Sequence, residues 1–151
     1  MARIAIASDH AAVGLKDLLV PWLREQGHDV ADLGTHGAGR VDYPDYGYRL
    51  ARAVADGEAA FGIALCGSGI GISIAVNREP ACRCALVSEP VSARLARLHN
   101  DANVIALGAR LIGEDMARDC ILAFLDAPYE GGRHDGRVAK LSHSNSTKEP
   151  A

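Results

Sequence analysis

Five short apolar runs alternate along this chain with segments of helical periodicity, and this alternation limits the possible folds more than any other feature. The runs are rich in isoleucine, valine, leucine and alanine, and they predict strands at Arg3–Ser8, His28–Leu33, Phe61–Cys66, Arg83–Val87 and Asn103–Leu107. Near-continuous apolar strands are typical of a parallel sheet that helices cover on both faces. We therefore predict an α/β/α sandwich with a Rossmann-like, doubly wound sheet of five parallel strands.

The segments between the runs predict the helices. They are Val13–Gln26, Pro44–Asp56, Gly69–Asn77, Pro90–His99 and Glu114–Leu125, with a last short helix at Val138–His143. On the first helix one face is predicted to be buried, and it carries Leu15, Leu18, Leu19, Trp22 and Leu23. Right-handed crossovers leave few strand orders, of which we predict 2-1-3-4-5.

The length and charge of the chain narrow the class of protein. Its 151 residues suit one domain, which we predict over residues 1–143, followed by a flexible tail over residues 144–151. With 16 basic and 19 acidic residues the net charge is −3, which argues against a nucleic-acid or anionic-membrane partner. A signal-peptide pattern and an 18-residue apolar stretch are both missing, and the four cysteines contain no CxxC pair, so we expect a cytoplasmic protein with free thiols.

Reactive side chains follow several of the predicted strands. In an open parallel sheet ligands bind beyond the carboxyl ends of the strands, so these positions form one edge. The segments there are Ser8-Asp9-His10, Cys66-Gly67-Ser68-Gly69-Ile70-Gly71, Ser88-Glu89 and Gly108-Ala109-Arg110.

The glycine-rich segment is the most informative of them. Its glycines let backbone N–H groups approach a ligand, although a tight turn without a ligand has the same pattern. Neither the Rossmann fingerprint nor the Walker loop matches, because Ile72 stands where the sixth-position glycine would be and no Gly-Lys-Ser/Thr follows. Cys66 favours a functional interpretation, since a thiol at a strand end facing a helix N-terminus is expected to ionise readily and act as a nucleophile or a base. Cys82, Cys84 and Cys120 are predicted to be buried small side chains, without further residues at zinc-ligand spacing.

Two further groups have a functional and a structural interpretation. His99 is either a catalyst or a cap at the end of its helix. The polar, turn-rich segment over residues 126–137 brings Arg133, His134 and Arg137 together on glycine-rich backbone. These side chains could clamp a phosphate, but a solvated charged segment would look the same.

Taken together, the motifs closely resemble the ribose-5-phosphate isomerase B family, which is related to the galactose-6-phosphate isomerase subunits. The resemblance runs from residue 3 to about residue 140, and its motifs are SDH, DYP, CGSGIGISIAVN, SEP, HNDANV, the GAR of Gly108–Arg110 and YEGGRHDGR. It implies an aldose–ketose isomerase of the pentose phosphate pathway that interconverts ribose 5-phosphate and ribulose 5-phosphate through a cis-enediolate, without metal or organic cofactor.

The resemblance also implies a role for each site residue. Cys66 is the base, because the loop has no carboxylate at Ile70, Ile72 or Ser73, and His99 opens the furanose ring. The backbone amides of Gly67, Ser68, Gly69, Ile70 and Gly71 stabilise the enediolate oxygen, while Asp9 and Asn100 orient hydroxyls. The phosphate is held by His10, Arg110, Arg133 and Arg137, with His134 beside them and Tyr43 lining the cleft.

Family members are homodimers or tetramers, so the arm over residues 126–143 is expected at a dimer interface, where it could serve the neighbouring subunit's site. The preferred sugar phosphate stays open, since allose 6-phosphate or galactose 6-phosphate needs only a slightly different pocket. A thiol acyl-transfer enzyme and a non-catalytic phosphosugar-binding protein are the alternatives from other classes.

Overall fold

A computed structural model describes residues 1–142 of the chain, so His143 and the predicted tail over residues 144–151 lie outside the described residues. The strands are β1 (Arg3–Ser8), β2 (Asp29–Asp32), β3 (Phe61–Cys66), β4 (Cys84–Leu86) and β5 (Val104–Gly108). The α-helices of the described part are α1 (Val13–Glu25), α2 (Tyr43–Ala55), α3 (Ile70–Val76), α4 (Pro90–Asn100), α5 (Glu114–Asp126) and α6 (Asp135–Leu141). Short 3₁₀ turns at His10–Ala12 and Gly132–His134 precede α1 and α6. The predicted α/β class and five-stranded parallel sheet are confirmed.

The strand order is β2-β1-β3-β5-β4, so the predicted order 2-1-3-4-5 is wrong at one end. β5 is buried along its whole length and takes an inner position between β3 and β4. β4 has only three residues, all at least partly exposed, and such a strand suits the edge of a sheet.

Large and small side chains alternate along the central strands, and this alternation separates the two faces of the sheet. Isoleucine and leucine face one core cluster with residues of α1, α4 and α5, whereas the alanines and Cys66 face the other with residues of α2 and α3. Small side chains let α2 and α3 come close, and a Cβ on Gly47 of α2 would lie 2.9 Å from the Cβ of Ala75 in α3. Cys66 therefore points to the face on which α3 begins.

Helix α1 departs from its predicted pattern at two positions. Leu18, predicted to be buried, is 48% exposed, and Lys16 is completely buried. The Lys16 ammonium lies 2.8 Å from a carboxylate oxygen of Asp32 at the end of β2 and 3.3 Å from Asp17. An ion pair of this kind compensates part of the desolvation of the buried charge, which apolar periodicity does not anticipate.

None of the helices within residues 1–142 has the length and apolarity needed to cross a lipid bilayer.

Candidate active site

A cleft of about 620 Å³ opens at the carboxyl edge of the sheet, where ligands bind in folds of this class. Its walls come from the ends of β1, β3 and β5 and the start of α2 and α3. The predicted site residues among its lining are Asp9, His10, Tyr43, Cys66, Gly67, Ser68, Ile70, Gly71 and Arg110. Ile74 and Leu111 also line it and were not predicted.

The thiol of Cys66 lies in this cleft and is held by the loop that follows it. Cys66 is 4% exposed, and its sulfur accepts a hydrogen bond of 3.1 Å from the backbone N–H of Gly69. The bond fixes the position of the sulfur within the cleft. The same bond shows that the Gly69 amide already has a partner, and the Ile70 amide donates to the Ser68 hydroxyl at 3.2 Å.

Glycine is required in this loop for both conformation and space. Gly69 has a φ of +77°, and a Cβ there would lie 2.9 Å from the carbonyl carbon of Leu107. A Cβ on Gly108, at the end of β5, would lie 2.6 Å from the carbonyl group of Ser68. The loop is thus packed directly on the backbone of β5, and the N–H groups of Ala109 and Arg110 donate to the carbonyls of Cys66 and Gly67 at 2.9 Å.

Polar side chains from two segments, after β1 and after β5, line the same cleft as the thiol. Asp9 is 6% exposed, and its carboxylate accepts the Ala11 N–H at 3.0 Å, which caps the turn before α1. Nδ1 of His10 lies 3.2 Å from both the N–H and the carbonyl oxygen of Val41, so the β2–α2 loop orients the ring. Arg110 packs over Gly67. These groups can supply hydrogen bonds and positive charge to a small anionic substrate.

The tyrosine predicted to line the cleft does so by lying over the start of α3. A Cβ on Gly71 would come within 2.5 Å of the Tyr43 ring, so this glycine lets the ring close over the backbone.

The remaining predicted site residues lie at the opposite edge of the sheet. Helix α4 starts beyond the carboxyl end of β4 and returns to the amino end of β5, and His99 and Asn100 are its last residues. Eleven helical residues span about 16 Å. His99 and Asn100 therefore cannot reach the Cys66 thiol of the same chain.

Arg133, His134 and Arg137 accompany His99 at that edge. The arm that carries them is joined to the end of α4 by a hydrogen bond of 3.0 Å from the Glu130 N–H to the Leu98 carbonyl. The rings of His99 and His134 stack with their centroids 4.6 Å apart. We call this set the amino-edge group; it comprises His99, Asn100, Arg133, His134 and Arg137. It is separate from the cleft group around Cys66.

Sequence reasoning missed Glu130, which lies between the two histidines. Its carboxylate is 3.4 Å from Nε2 of His134 and 4.0 Å from Nε2 of His99. No helical spacing signalled this contact, because Glu130 and Gly131 precede the 3₁₀ turn and Gly131 has a φ of +66°.

The other three cysteines differ from Cys66. Burial raises the pKa of Cys82 and of Cys120 to about 11, and burial also raises the pKa of Cys84. Thiols of this kind are protonated near neutral pH and react slowly. The prediction of buried small side chains is confirmed for Cys82 and Cys120, whereas Cys84 on the edge strand is only half-buried.

Comparison with known proteins supplies the family context for this geometry. The family model described as Ribose/Galactose Isomerase matches residues 4–141. Ribose-5-phosphate isomerase B of Escherichia coli is 46% identical over 142 residues, which are 94% of this chain and 95% of the relative. D-erythrulose-4-phosphate isomerase of Pectobacterium atrosepticum is 42% identical, over 95% of each chain. The crystal structure of a ribose 5-phosphate isomerase from Thermotoga maritima superposes with a TM-score of 0.92 at 47% identity, covering 93% of this chain and 97% of the other.

Proposed function

The chain belongs to the ribose/galactose isomerase family, and on that premise we propose that it interconverts D-ribose 5-phosphate and D-ribulose 5-phosphate. It is an aldose–ketose isomerase. The observation that carries the mechanism is the Cys66 thiol at the floor of a cleft with Asp9, His10 and Arg110, its sulfur held by the Gly69 N–H.

In this proposal Cys66 is the base. Its thiolate takes the proton from C2 of open-chain ribose 5-phosphate, and the electron pair left behind forms a cis-enediolate across C1 and C2. The thiol then returns the proton to C1 while a proton passes from O2 to O1, which yields the ketose. A positioned base contributes about 10²–10⁴-fold to such a step.

The negative oxygen of the enediolate needs donors that are already in place. We assign this role to the loop amides of Gly67, Ser68 and Gly71, because the Gly69 and Ile70 amides have partners within the loop. Asp9 and Asn100 orient sugar hydroxyls, and His10 and Arg110 contribute to binding the phosphate from the cleft side.

We further propose that a homodimer assembles the complete site. His99 is assigned to open the furanose ring, and Arg133 and Arg137 to hold the phosphate with His134 beside them. All four lie at the opposite edge of the sheet from Cys66 in the same chain. A second copy with its amino-edge group at this cleft would supply them.

Two features support an interface of this kind. Helix α6 of the arm has no buried residue, so its own chain gives it little packing. Apolar side chains are exposed around the cleft, namely Tyr43, Ile70, Ile74, Leu86 and Leu111. Covering both surfaces with a second copy would bury them and place the arm beside Cys66.

The four cysteines are all unpaired thiols, and a catalytic thiol needs reducing surroundings, so we propose that the enzyme acts in the cytoplasm.

The test is a direct assay of ribulose 5-phosphate formation from ribose 5-phosphate in deuterium oxide. Isomerisation through an enediolate should place deuterium on the carbon next to the carbonyl. A burst of acyl product from an activated ester would instead indicate acyl transfer, and tight binding without turnover would indicate a sensor.

Substrate choice is tested in the same assay. The similarity to an enzyme named for D-erythrulose 4-phosphate makes that four-carbon ketose phosphate a second candidate. We expect the highest kcat/KM with ribose 5-phosphate. A higher value with D-erythrulose 4-phosphate, allose 6-phosphate or galactose 6-phosphate would contradict the pentose assignment and keep the mechanism.

A further inference from the structure

Two imidazoles and a carboxylate converge at the end of α4, and the proposed isomerase chemistry gives the carboxylate no role. The side chains are those of His99, Glu130 and His134, and one ligand atom of each lies within 4.8 Å of the other two. Two segments bring them together: the last turn of α4, and the arm, whose 3₁₀ turn carries His134. A hydrogen bond from the Glu130 N–H to the Leu98 carbonyl holds the arm against α4, and the Glu130 carboxylate then faces both imidazole rings.

The buried member of this cluster lacks a partner. His134 is only 5% exposed, and within residues 1–142 its Nε2 atom makes no hydrogen bond. A buried polar atom without a partner carries a desolvation cost that a ligand can remove. The carboxylate oxygen 3.4 Å away faces this nitrogen, which disfavours an anion at this point and favours a cation.

We propose that His99, Glu130 and His134 bind one Zn²⁺ ion, and that its binding inhibits the enzyme. Two histidines and one glutamate with a fourth position open to water form a donor set that suits zinc. Zinc–ligand bonds of about 2.0 Å place tetrahedral ligands about 3.3 Å apart. The Glu130–His134 separation of 3.4 Å already fits this value. The half-exposed His99 ring is stacked on the His134 ring, and its ligand atom lies within 4.8 Å of the other two, so it has to turn and to move by about 1.5 Å.

Inhibition rests on the proposed function, whereas zinc binding does not. A metal-bound His99 nitrogen can neither take nor give the proton that ring opening needs. The ion would also occupy the space beside Arg133 and Arg137, where the proposed dimer places the substrate phosphate.

Zinc binding is tested on the full chain after removal of metals with EDTA. Calorimetric titration with ZnCl₂ should give one ion per chain, and MgCl₂, which prefers oxygen ligands, should give no signal. We expect Glu130→Gln and His134→Asn each to weaken zinc binding at least tenfold. The matched control is His36→Asn, which removes an exposed histidine elsewhere and should keep the parent affinity.

The Glu130→Gln variant is expected to fold even if His134→Asn does not, because Glu130 is partly exposed and glutamine has the same shape as glutamate. Unchanged zinc binding in Glu130→Gln would overturn the site. Co²⁺ provides an independent check, since cobalt bound by nitrogen and oxygen gives visible absorption without a thiolate charge-transfer band. Such a thiolate band at one equivalent would assign the metal to a cysteine and overturn the site as well.

Activity separates the two proposals. Zinc should inhibit ribose 5-phosphate conversion, EDTA should restore it, and Glu130→Gln should need at least tenfold more zinc for half-inhibition of its own rate. Zinc that binds at these three residues without inhibiting would support the metal site and contradict the role proposed for His99. If the parent protein bound no zinc in any of these measurements but had a normal isomerase rate, the zinc site would be overturned and the proposed function would stand.

Discussion

At the scale of single residues, the thiol of Cys66 is the group on which the proposed chemistry depends. Replacing it in Cys66→Ala removes the base while the cleft and its phosphate ligands stay, so kcat should fall about 10²–10⁴-fold with phosphate-ester binding nearly intact. Steady-state kinetics with ribose 5-phosphate and an inhibitor-binding titration measure the two effects.

The matched control is Cys120→Ala, which removes a buried thiol far from the cleft and should change stability only. If Cys66→Ala turned over at near the parent rate, the base would have to be sought at Asp9 or His99.

His99 has a different role in the proposal, and a different measurement tests it. Asparagine in His99→Asn cannot relay the proton that opens the furanose ring of ribose 5-phosphate. Ribulose 5-phosphate does not need this step, because it cannot close into a furanose. Pre-steady-state deuterium exchange should therefore slow more from ribose 5-phosphate than from ribulose 5-phosphate. Equal losses from the two substrates would count against this role.

Within residues 1–142, the Lys16–Asp32 pair contains a fully buried ammonium group. In Asp32→Asn the fully buried ammonium loses its closest partner, and unfolding in urea should show a loss of about 3 kcal/mol. In Lys16→Met the charge is removed together with its desolvation cost, so stability should change little or rise. A larger loss in Lys16→Met than in Asp32→Asn would contradict this account.

The same pair predicts a pH dependence of stability. Burial by itself raises the pKa of Asp32, but the hydrogen bonds from Lys16 and from the Gly34 N–H outweigh it, and the pKa is lowered overall. A carboxyl group with a lowered pKa in the folded state stabilises above its unfolded pKa of about 4 and loses this contribution as the pH falls below it. Melting temperatures between pH 6 and pH 3 should therefore fall less steeply in Asp32→Asn than in the parent.

At the scale of elements, the loop after β3 depends on how closely it packs against β5. An added methyl group in Gly108→Ala would collide with the Ser68 backbone, so the loop must move away from the sheet. We expect kcat to fall at least tenfold, because proton transfer depends on the position of Cys66 and the loop amides.

The control for this prediction is Gly14→Ala in α1, where a Cβ meets nothing within 4 Å. Alanine is the better helix former by up to about 1 kcal/mol, so this variant should be slightly more stable and fully active. A Gly108→Ala enzyme with the parent kcat would show that the loop tolerates displacement.

At the scale of the whole molecule, the two groups of site residues lie at opposite edges of one sheet. If a dimer joins them, mixing Cys66→Ala with Arg137→Ala under conditions of subunit exchange should restore activity. Each mixed dimer has one site with both groups intact and one site with both defects. Random pairing makes about half the dimers mixed, so about a quarter of the parent activity should return.

The chain offers a matched control for this experiment. Cys66 and Arg110 both belong to the cleft group, so mixing Cys66→Ala with Arg110→Ala leaves every cleft with a defect and should restore nothing. Exchange is verified by native mass spectrometry. With exchange verified, no recovery from the Cys66→Ala and Arg137→Ala pair would rule out the shared site.

Local pattern was sufficient to predict the strands, the glycine-rich loop and the cleft group, because each depends on residues close together in sequence. Apolar runs determine where strands form, and the carboxyl ends of parallel strands always share one edge. Each of these residues follows a predicted strand, so the sequence was sufficient to predict that Cys66, Asp9, His10 and Arg110 lie at one edge of the sheet.

Contacts between distant segments decided the rest. β5 rather than β4 takes the inner position in the sheet, because β5 is buried along its whole length. Lys16 rather than Leu18 is buried, because its ammonium pairs with Asp32, sixteen residues away. The position of His99 followed from the direction of α4, which carries its last residues away from the edge where the helix begins. Such outcomes depend on the summed burial and charge of partners that meet only in the folded chain, and periodicity within one segment contains no record of them.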